Sequence, residues 1–136
     1  MNTPAPPEIS ELLIVSVTPQ NLERGDLWFS ENFAAIRRAR SSNPWWHDNA
    51  LIIEKNLVIK PSELSRKMLD LGYERAQEVL GKGLFAVRGG TIECWPVNSI
   101  KPYAIEFYGN KIETIRERES RKPLYRPRVP AQSLEK

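Results

Sequence analysis

The residues able to carry out chemistry are few in this chain, and they argue against catalysis and against a metal centre. The sequence has one cysteine, Cys94, and one histidine, His47. A structural Cys/His zinc site needs four ligands, so the chain cannot form one. Asp48 follows His47 and suggests an acid–base pair, but no serine or cysteine nucleophile is placed to work with it. We therefore expect no enzymatic activity, no metal and no cofactor.

The positive charge is concentrated at the C-terminus. The net charge is +3, yet residues 1–60 hold 6 basic and 7 acidic side chains, and residues 61–110 hold 6 of each. Residues 111–136 hold 8 basic and 4 acidic side chains. A nucleic-acid-binding face should appear in the folded body, so the candidates for phosphate contact are confined to the C-terminal segment: Arg116, Arg118, Arg121, Lys122, Arg126 and Arg128. A solubilising terminus explains these residues equally well.

The hydrophobic pattern excludes a membrane-spanning segment. No apolar run approaches the roughly 20 residues that a bilayer requires, since the longest runs, such as Leu12–Val15, have four residues. The first eight residues lack the basic start and the apolar stretch of a secretory signal. We expect a cytoplasmic protein with no membrane partner, and the sequence leaves its oligomeric state open.

The N-terminal half predicts a disordered lead-in over residues 1–8 and a strand–helix–strand annex over residues 9–56. Residues 12–17 are apolar and β-branched, which is typical of a buried strand. Ser30 is placed to cap a helix that begins at Glu31 and ends before Pro44. Short strands are predicted over residues 50–54 and 57–59.

The second half predicts a domain over residues 57–118 and a basic, proline-rich tail over residues 119–136. Pro61 opens a helix that Gly72 ends. Strands over residues 84–88 and 91–95 flank Gly89 and Gly90, which a tight hairpin turn requires. A second pair, over residues 103–108 and 111–116, flanks another turn. The predicted fold class is α+β, a small and mostly antiparallel sheet with hairpins and one or two packed helices.

Three ordered blocks of this second half resemble a known family. They read LGYERAQEV at residues 71–79, GLFAVRGGTIECWP at residues 83–96 and IEFYGNKIETIR at residues 105–116. Together they resemble the UvrA-binding domain shared by UvrB and the transcription-repair coupling factor Mfd. The resemblance implies a docking module that binds a UvrA-like protein in nucleotide excision repair or transcription-coupled repair.

The resemblance also implies which residues make the contact. In the family, an arginine after the helix-terminal tyrosine and one before the hairpin glycine contribute to UvrA binding, and Arg75 and Arg88 fill these positions. An arginine offers a planar fork of donors to a carboxylate, and the alternative for both residues is a solvated side chain that balances a nearby glutamate. The other protein-binding candidates are the turn residues Gly89 and Gly90 and the aromatic residues Phe85 and Trp95, for which core packing is the alternative.

The sequence departs from the full-length family members in having no motor. It contains no G-x-x-x-x-G-K-[ST] loop for ATP, and 136 residues are too few for two motor lobes. We therefore expect a free-standing module that competes with or modulates its full-length relatives. Two alternatives remain: a nucleic-acid-binding accessory protein that uses the basic tail and the Trp45–Trp46 pair, and a degenerate coupling-factor remnant that binds another protein. For the tryptophan pair we favour a packing role, in which Trp45 or Trp46 covers an open sheet face.

Overall fold

The computed structural model describes residues 7–119, and they form an α+β fold, as the sequence predicts. The helices are α1 (Pro19–Leu22), α2 (Asp26–Glu31), α3 (Phe33–Arg40), α4 (Pro44–Asn49) and α5 (Pro61–Asp70). The strands are β1 (Glu8–Ile9), β2 (Glu11–Val15), β3 (Ala50–Glu54), β4 (Glu74–Arg75), β5 (Leu84–Arg88), β6 (Thr91–Cys94), β7 (Tyr103–Tyr108) and β8 (Lys111–Glu117).

Six strands form the main sheet, in the order β1-β8-β7-β6-β5-β4. All neighbours are antiparallel except β4, which runs parallel to β5. The two hairpins turn at Gly89 (φ +56°) and Gly109 (φ +62°), conformations that glycine adopts without a steric cost. Between β7 and β8 the register shifts after Glu106, so that Phe107 pairs with Ile112 and the intervening Glu113 bulges out of the ladder.

The two faces of the main sheet differ in character. On the inner face, fully buried side chains from successive strands meet Leu64 and Met68 of α5, which are also fully buried. On the outer face, acidic and basic side chains form ion pairs over two small buried residues, Ala86 and Ala104. The alternation of β-strand side chains produces this division, and it determines which residues are available to a partner.

The remaining strands, β2 and β3, pair with each other as a two-stranded antiparallel sheet. Side chains from the second half of the chain complete the outer edge of β2. The amide of Asn98 donates to the carbonyl of Leu13 (2.8 Å) and accepts from the N–H of Val15 (3.1 Å). The hydroxyl of Tyr73 donates to the carbonyl of Val15 (2.8 Å) and accepts from the N–H of Val97 (3.0 Å). These buried bonds join the N-terminal elements to the main sheet, and one hydrophobic core spans both.

The lead-in that we expect over residues 1–8 extends too far. Residues 1–6 lie outside the described part of the chain, but Glu8 already belongs to β1 and pairs with Arg116 of β8. A hydrogen bond from Lys55 (2.7 Å) holds its carboxylate and, as the largest cause, lowers the pKa of Glu8. The expected domain boundary at residue 57 stays a prediction, and the N–H of Asn56 donates to the carbonyl of Ile112 in β8 across it (2.8 Å).

Two local predictions in the N-terminal half are wrong. Ser30 does not cap a helix, because it lies within α2, and Asn32 (φ −108°, ψ 14°) separates α2 from α3. Residues 57–59 do not form a named strand, and Val58 makes only an isolated bridge to Lys111. The predicted break before Pro44 is confirmed: α3 ends at Arg40, and Pro44 lies in the first turn of α4, where its missing N–H is harmless.

Candidate protein-docking site

Arg75 is positioned by the sharp turn that follows α5. The helix ends before Gly72, whose φ of +95° reverses the chain and whose position faces Val17, 3.2 Å from an added Cβ. The chain then enters β4, which is fixed beside β5 by the bond from the N–H of Ala76 to the carbonyl of Phe85 (2.8 Å). Arg75 is left exposed at the edge of the sheet.

Arg88 lies at the end of β5 and is held by two internal contacts. Its guanidinium donates to the carbonyl of Gln77, and its Nη1 lies 3.8 Å from Oε1 of Glu93. The side chain is nevertheless 46% exposed, so part of its donor fork remains available to another molecule. Because these contacts already restrict the conformations of Arg88, less side-chain entropy is lost when a partner binds.

The structure brings Arg75 and Arg88 into one groove. The groove is open, has a volume of about 430 Å³ and is lined by Arg75, Ala76, Gln77, Glu78, Val87 and Arg88. Parallel pairing of β4 with β5 causes this proximity, because it runs the segment after Arg75 alongside the end of β5. Two forked donors on one wall suit a protein surface that carries carboxylates.

Gly89 and Gly90 form the turn beside the groove. The carbonyl of Gly90 accepts a bond from the N–H of Phe107 (2.8 Å), which ties the turn to β7. A Cβ added at Gly90 would lie 3.5 Å from the carbonyl oxygen of Phe107. This hydrogen bond to β7 restrains the turn and therefore helps to position Arg88, which precedes it.

Neither of the two aromatic candidates lines the groove. Phe85 is 0% exposed and packs in the core, so it cannot offer surface to a partner, and the expectation of an anchor there is corrected. Trp95 is half-buried, and its Nε1 donates to the carbonyl of Ser99 (3.0 Å). It lies at the end of the β5–β6 hairpin opposite to Arg88, because β6 begins at the turn and ends before Trp95. The alternation of apolar and polar residues predicts the two strands of this hairpin, but it does not show which face of the strands is buried.

The C-terminal cations fall into two groups. Arg116 lies 3.8 Å from Glu8 and 3.9 Å from Glu106, and Arg118 lies 3.1 Å from Glu93. Both arginines therefore take part in the ion pairs on the outer face of the main sheet. The other four candidates for nucleic-acid contact lie outside the described residues: Arg121, Lys122, Arg126 and Arg128.

The tryptophan pair packs within the N-terminal helices. Trp46 stacks on Trp28 of α2 at 6.5 Å with nearly parallel rings, and Trp45 meets Trp46 edge-on at 4.9 Å. The guanidinium of Arg24 lies 4.0 Å above the Trp28 ring, a cation–π contact. Trp46 packs against the core, so covering part of it is its observed role. No local sequence signal predicts the partnership of Arg24, Trp28 and Trp46, since three separate elements supply it.

The remaining reactive side chains, His47 and Cys94, lie in different environments. His47 Nδ1 lies 3.2 Å from the Asp48 carboxylate on an exposed surface. Cys94 is fully buried, and burial, with a smaller effect of Glu93, raises the pKa of its thiol to about 12. Within residues 7–119 no cluster of His, Cys, Asp or Glu side chains could hold a metal ion. None of the helices over that range is long and apolar enough to cross a membrane.

Comparison with known proteins identifies the family. A family described as the UvrB interaction domain matches residues 51–124, more than half of the chain. The chain belongs to the UvrB interaction domain family. The resemblance noted from the three sequence blocks is thereby confirmed. The match begins inside β3, and it includes both arginines of the groove.

Individual relatives are much longer proteins. The transcription-repair-coupling factor of Bacillus subtilis is 34% identical over 83 residues, which cover 61% of this chain and 7% of the relative. The UvrABC system protein B of Streptococcus uberis is 30% identical over 106 residues, which cover 77% of this chain and 16% of the relative. That of Treponema denticola is 35% identical over 72 residues, or 53% and 11% of the two chains. This UvrB-interaction chain thus spans a small part of the length of each.

Proposed function

We propose that this chain is a non-enzymatic docking module that binds UvrA through the groove of Arg75 and Arg88, and that it acts in nucleotide excision repair or transcription-coupled repair. One observation carries the proposal: in a member of the UvrB interaction domain family, the fold places the two arginines on a single open groove.

The groove supports recognition of an acidic protein surface. Arg88 is restrained by the carbonyl of Gln77 and by Glu93, while Arg75 is exposed at the sheet edge. A partner with two suitably spaced carboxylates gains charge-assisted hydrogen bonds from both forks. Glu78 on the groove wall repels a partner carboxylate that approaches in the wrong register, which adds specificity.

Such a module competes with its longer relatives. If it uses the same surface of UvrA as UvrB and the coupling factor, then binding of one excludes the others. A chain bound to that surface of UvrA would keep UvrB and the coupling factor from binding there. We therefore infer an attenuating role in repair.

A binding titration with purified UvrA tests the docking site. We expect Arg75→Glu and Arg88→Glu each to raise the dissociation constant by about tenfold or more, because each replaces a donor fork by a repelling charge. Arg66→Glu is the matched control, since Arg66 is exposed on α5 away from the groove and undergoes the same charge change. Absence of binding by the unaltered chain, or equal weakening by all three variants, would refute the proposal.

A displacement assay tests the competition. Labelled UvrB is bound to UvrA, and the unlabelled chain is added. We expect release of UvrB at concentrations near the chain's own dissociation constant, and no release by the Arg88→Glu variant. Formation of a stable complex that contains all three proteins would contradict competition while leaving docking intact.

A further inference from the structure

The loop between α1 and α2 supplies a guanidinium group without an anionic partner. The guanidinium carbon of Arg24 lies 4.0 Å from the centre of the Trp28 ring and 5.8 Å from that of the Trp46 ring. Within residues 7–119 the Arg24 side chain forms no ion pair, and its Nη1 is buried without a hydrogen-bond acceptor. Buried donors in proteins are nearly always paired, so this one requires an explanation.

The tryptophan rings hold Arg24 without satisfying its donors. A guanidinium presents its N–H groups in one plane, as a fork that matches a carboxylate. An indole ring attracts the positive charge through its π electrons, but it has no oxygen atom to accept these hydrogen bonds. The two rings are themselves fixed, since they stack on each other and Trp28 meets Phe29 edge-on at 5.1 Å. Arg24 is therefore positioned in advance for an anion that the described residues do not supply.

Arg24 borders a mainly apolar groove on the N-terminal helices. The groove is open and has a volume of about 290 Å³, and its lining includes the two tryptophans and three residues of α3: Ala35, Ile36 and Ala39. The two alanines are one helical turn apart and lie on the same side of α3, and their small side chains leave space beside the rings. Among the described residues that line the groove, Arg24 carries the charge and none is acidic.

Size and charge indicate which ligand fits the groove. A bound helix needs several apolar anchors spread over successive turns, whereas about 290 Å³ accommodates a single apolar group and is at the lower end of ligand-pocket volumes. The guanidinium at its border matches one negative charge. A phosphate dianion would keep an unbalanced charge beside apolar side chains, so a carboxylate fits better. The matching chemistry is one apolar group that carries a carboxylate.

We propose that the groove of Arg24, Trp28 and Trp46 binds an apolar carboxylate, with the carboxylate on the guanidinium and the apolar group against the rings and the alanines of α3. A free carboxylic acid and the C-terminal residue of a peptide present this chemistry equally. The site shares no residue with the groove of Arg75 and Arg88. Its residues also precede the segment that matches the UvrB interaction domain family. The inference therefore goes beyond the proposed function and does not depend on it.

A titration of the isotope-labelled full chain with 1-naphthoate, followed by two-dimensional NMR, tests the proposal. We expect the indole N–H signals of Trp28 and Trp46, assigned with single Trp→Phe variants, to shift until saturation with a dissociation constant of about 1 mM or lower. The signal of Trp95, which does not line the groove, should stay in place. The neutral amide 1-naphthamide has nearly the same shape and should bind about tenfold more weakly, because it cannot form charge-assisted bonds with Arg24.

Three variants locate the binding site. Arg24→Gln should weaken the binding of 1-naphthoate by about tenfold and leave that of 1-naphthamide nearly unchanged. Arg38→Gln is the matched control, since Arg38 is exposed on α3, does not line the groove and loses the same charge. Ala35→Leu, at an exposed position, should weaken the binding of both probes because it fills the groove. Melting temperatures confirm that each variant is folded.

The outcomes decide both the site and the source of its ligand. Absence of saturable shifts, equal binding of the two probes, or equal losses in Arg24→Gln and Arg38→Gln would overturn the proposal. N-acetylphenylalanine carries its carboxylate as the end of a peptide chain does. If it binds more tightly than 1-naphthoate, the groove is assigned to a peptide C-terminus, and if it binds more weakly, to a free acid; both results support the site. Failure of the chain to bind UvrA would leave these results unchanged.

Discussion

Arg88 and Arg118 share one carboxylate, that of Glu93. Oε1 of Glu93 lies 3.8 Å from Arg88 and Oε2 lies 3.1 Å from Arg118. The Glu93 side chain is only 13% exposed, whereas the side chains of Arg88 and Arg118 are 46% and 39% exposed. The candidate docking arginine is thereby coupled to a residue near the C-terminal end of the described chain.

Glu93→Gln should lower the free energy of unfolding by about 1 kcal/mol, because both charge-assisted contacts are weakened while the size of the side chain is kept. Urea denaturation at low and high salt measures the effect. The difference from the unaltered chain should shrink as salt increases, since salt screens partly exposed ion pairs. A difference that is independent of salt would argue that Glu93 acts through packing.

Asn98→Leu should destabilise the protein by about 2 kcal/mol or more, because it leaves the N–H of Val15 and the carbonyl of Leu13 buried without partners. Chemical denaturation followed by tryptophan fluorescence provides the measurement. Gln20→Leu, at an exposed position on α1, is the control and should change stability by less than about 0.5 kcal/mol. Equal effects of both substitutions would show that the edge of β2 does not depend on Asn98.

The two turn glycines should respond differently to alanine. Gly89 has a φ of +56°, so Gly89→Ala should cost about 1 kcal/mol from the left-handed backbone conformation alone, although the space around it is open. Gly90 has no positive φ, and its added Cβ would make ordinary contact at 3.5 Å, so Gly90→Ala should be close to neutral. Thermal melts of the pair test this order, and the reverse order would mean that the turn has another geometry.

Cys94 should report unfolding through its reactivity. Burial raises the pKa of its thiol to about 12, so the folded protein at pH 8 should react with a maleimide far more slowly than the denatured chain. As the chain has one cysteine, labelling is unambiguous. The raised pKa also makes the free energy of unfolding depend on pH. The contribution of the neutral thiol is complete below its unfolded pKa of about 8.5 and is lost as pH rises toward 12. Equal labelling rates in the folded and denatured states would contradict the burial of Cys94.

Local signals account for the elements that the sequence predicts well. The turn glycines, the alternation on either side of them and Pro61 at the start of α5 act over a few residues, and the corresponding strands and helix form at those positions. By contrast, the contact of Asn98 with Val15 of β2 joins residues 83 positions apart. The pairing of β4 with β5 is closer in sequence, but it is parallel and lacks the turn glycines that indicate a hairpin. No local sequence signal predicts either contact.

The candidate site also has features that the sequence predicts and features that only the structure shows. The family blocks lead to Arg75 and Arg88 one residue at a time, but only the pairing of their strands shows that they share a groove. For Phe85 the sequence prediction is wrong, because the expected protein-binding side chain is fully buried. Its neighbour Ala86 is also buried, so the alternation of β5 does not distinguish the core face from the outer face.

The cover over the edge of β8 limits how this protein can associate. Glu8–Ile9 pair with one half of that strand, and residues 56–59 bond to the other half. At the opposite edge of the main sheet, β4 has only two residues. Long unpaired edges are what permit a foreign strand to join a sheet, and the main sheet, as described over residues 7–119, offers none. Its association with other proteins should therefore depend on side chains rather than on β-augmentation, which makes recognition sensitive to single substitutions.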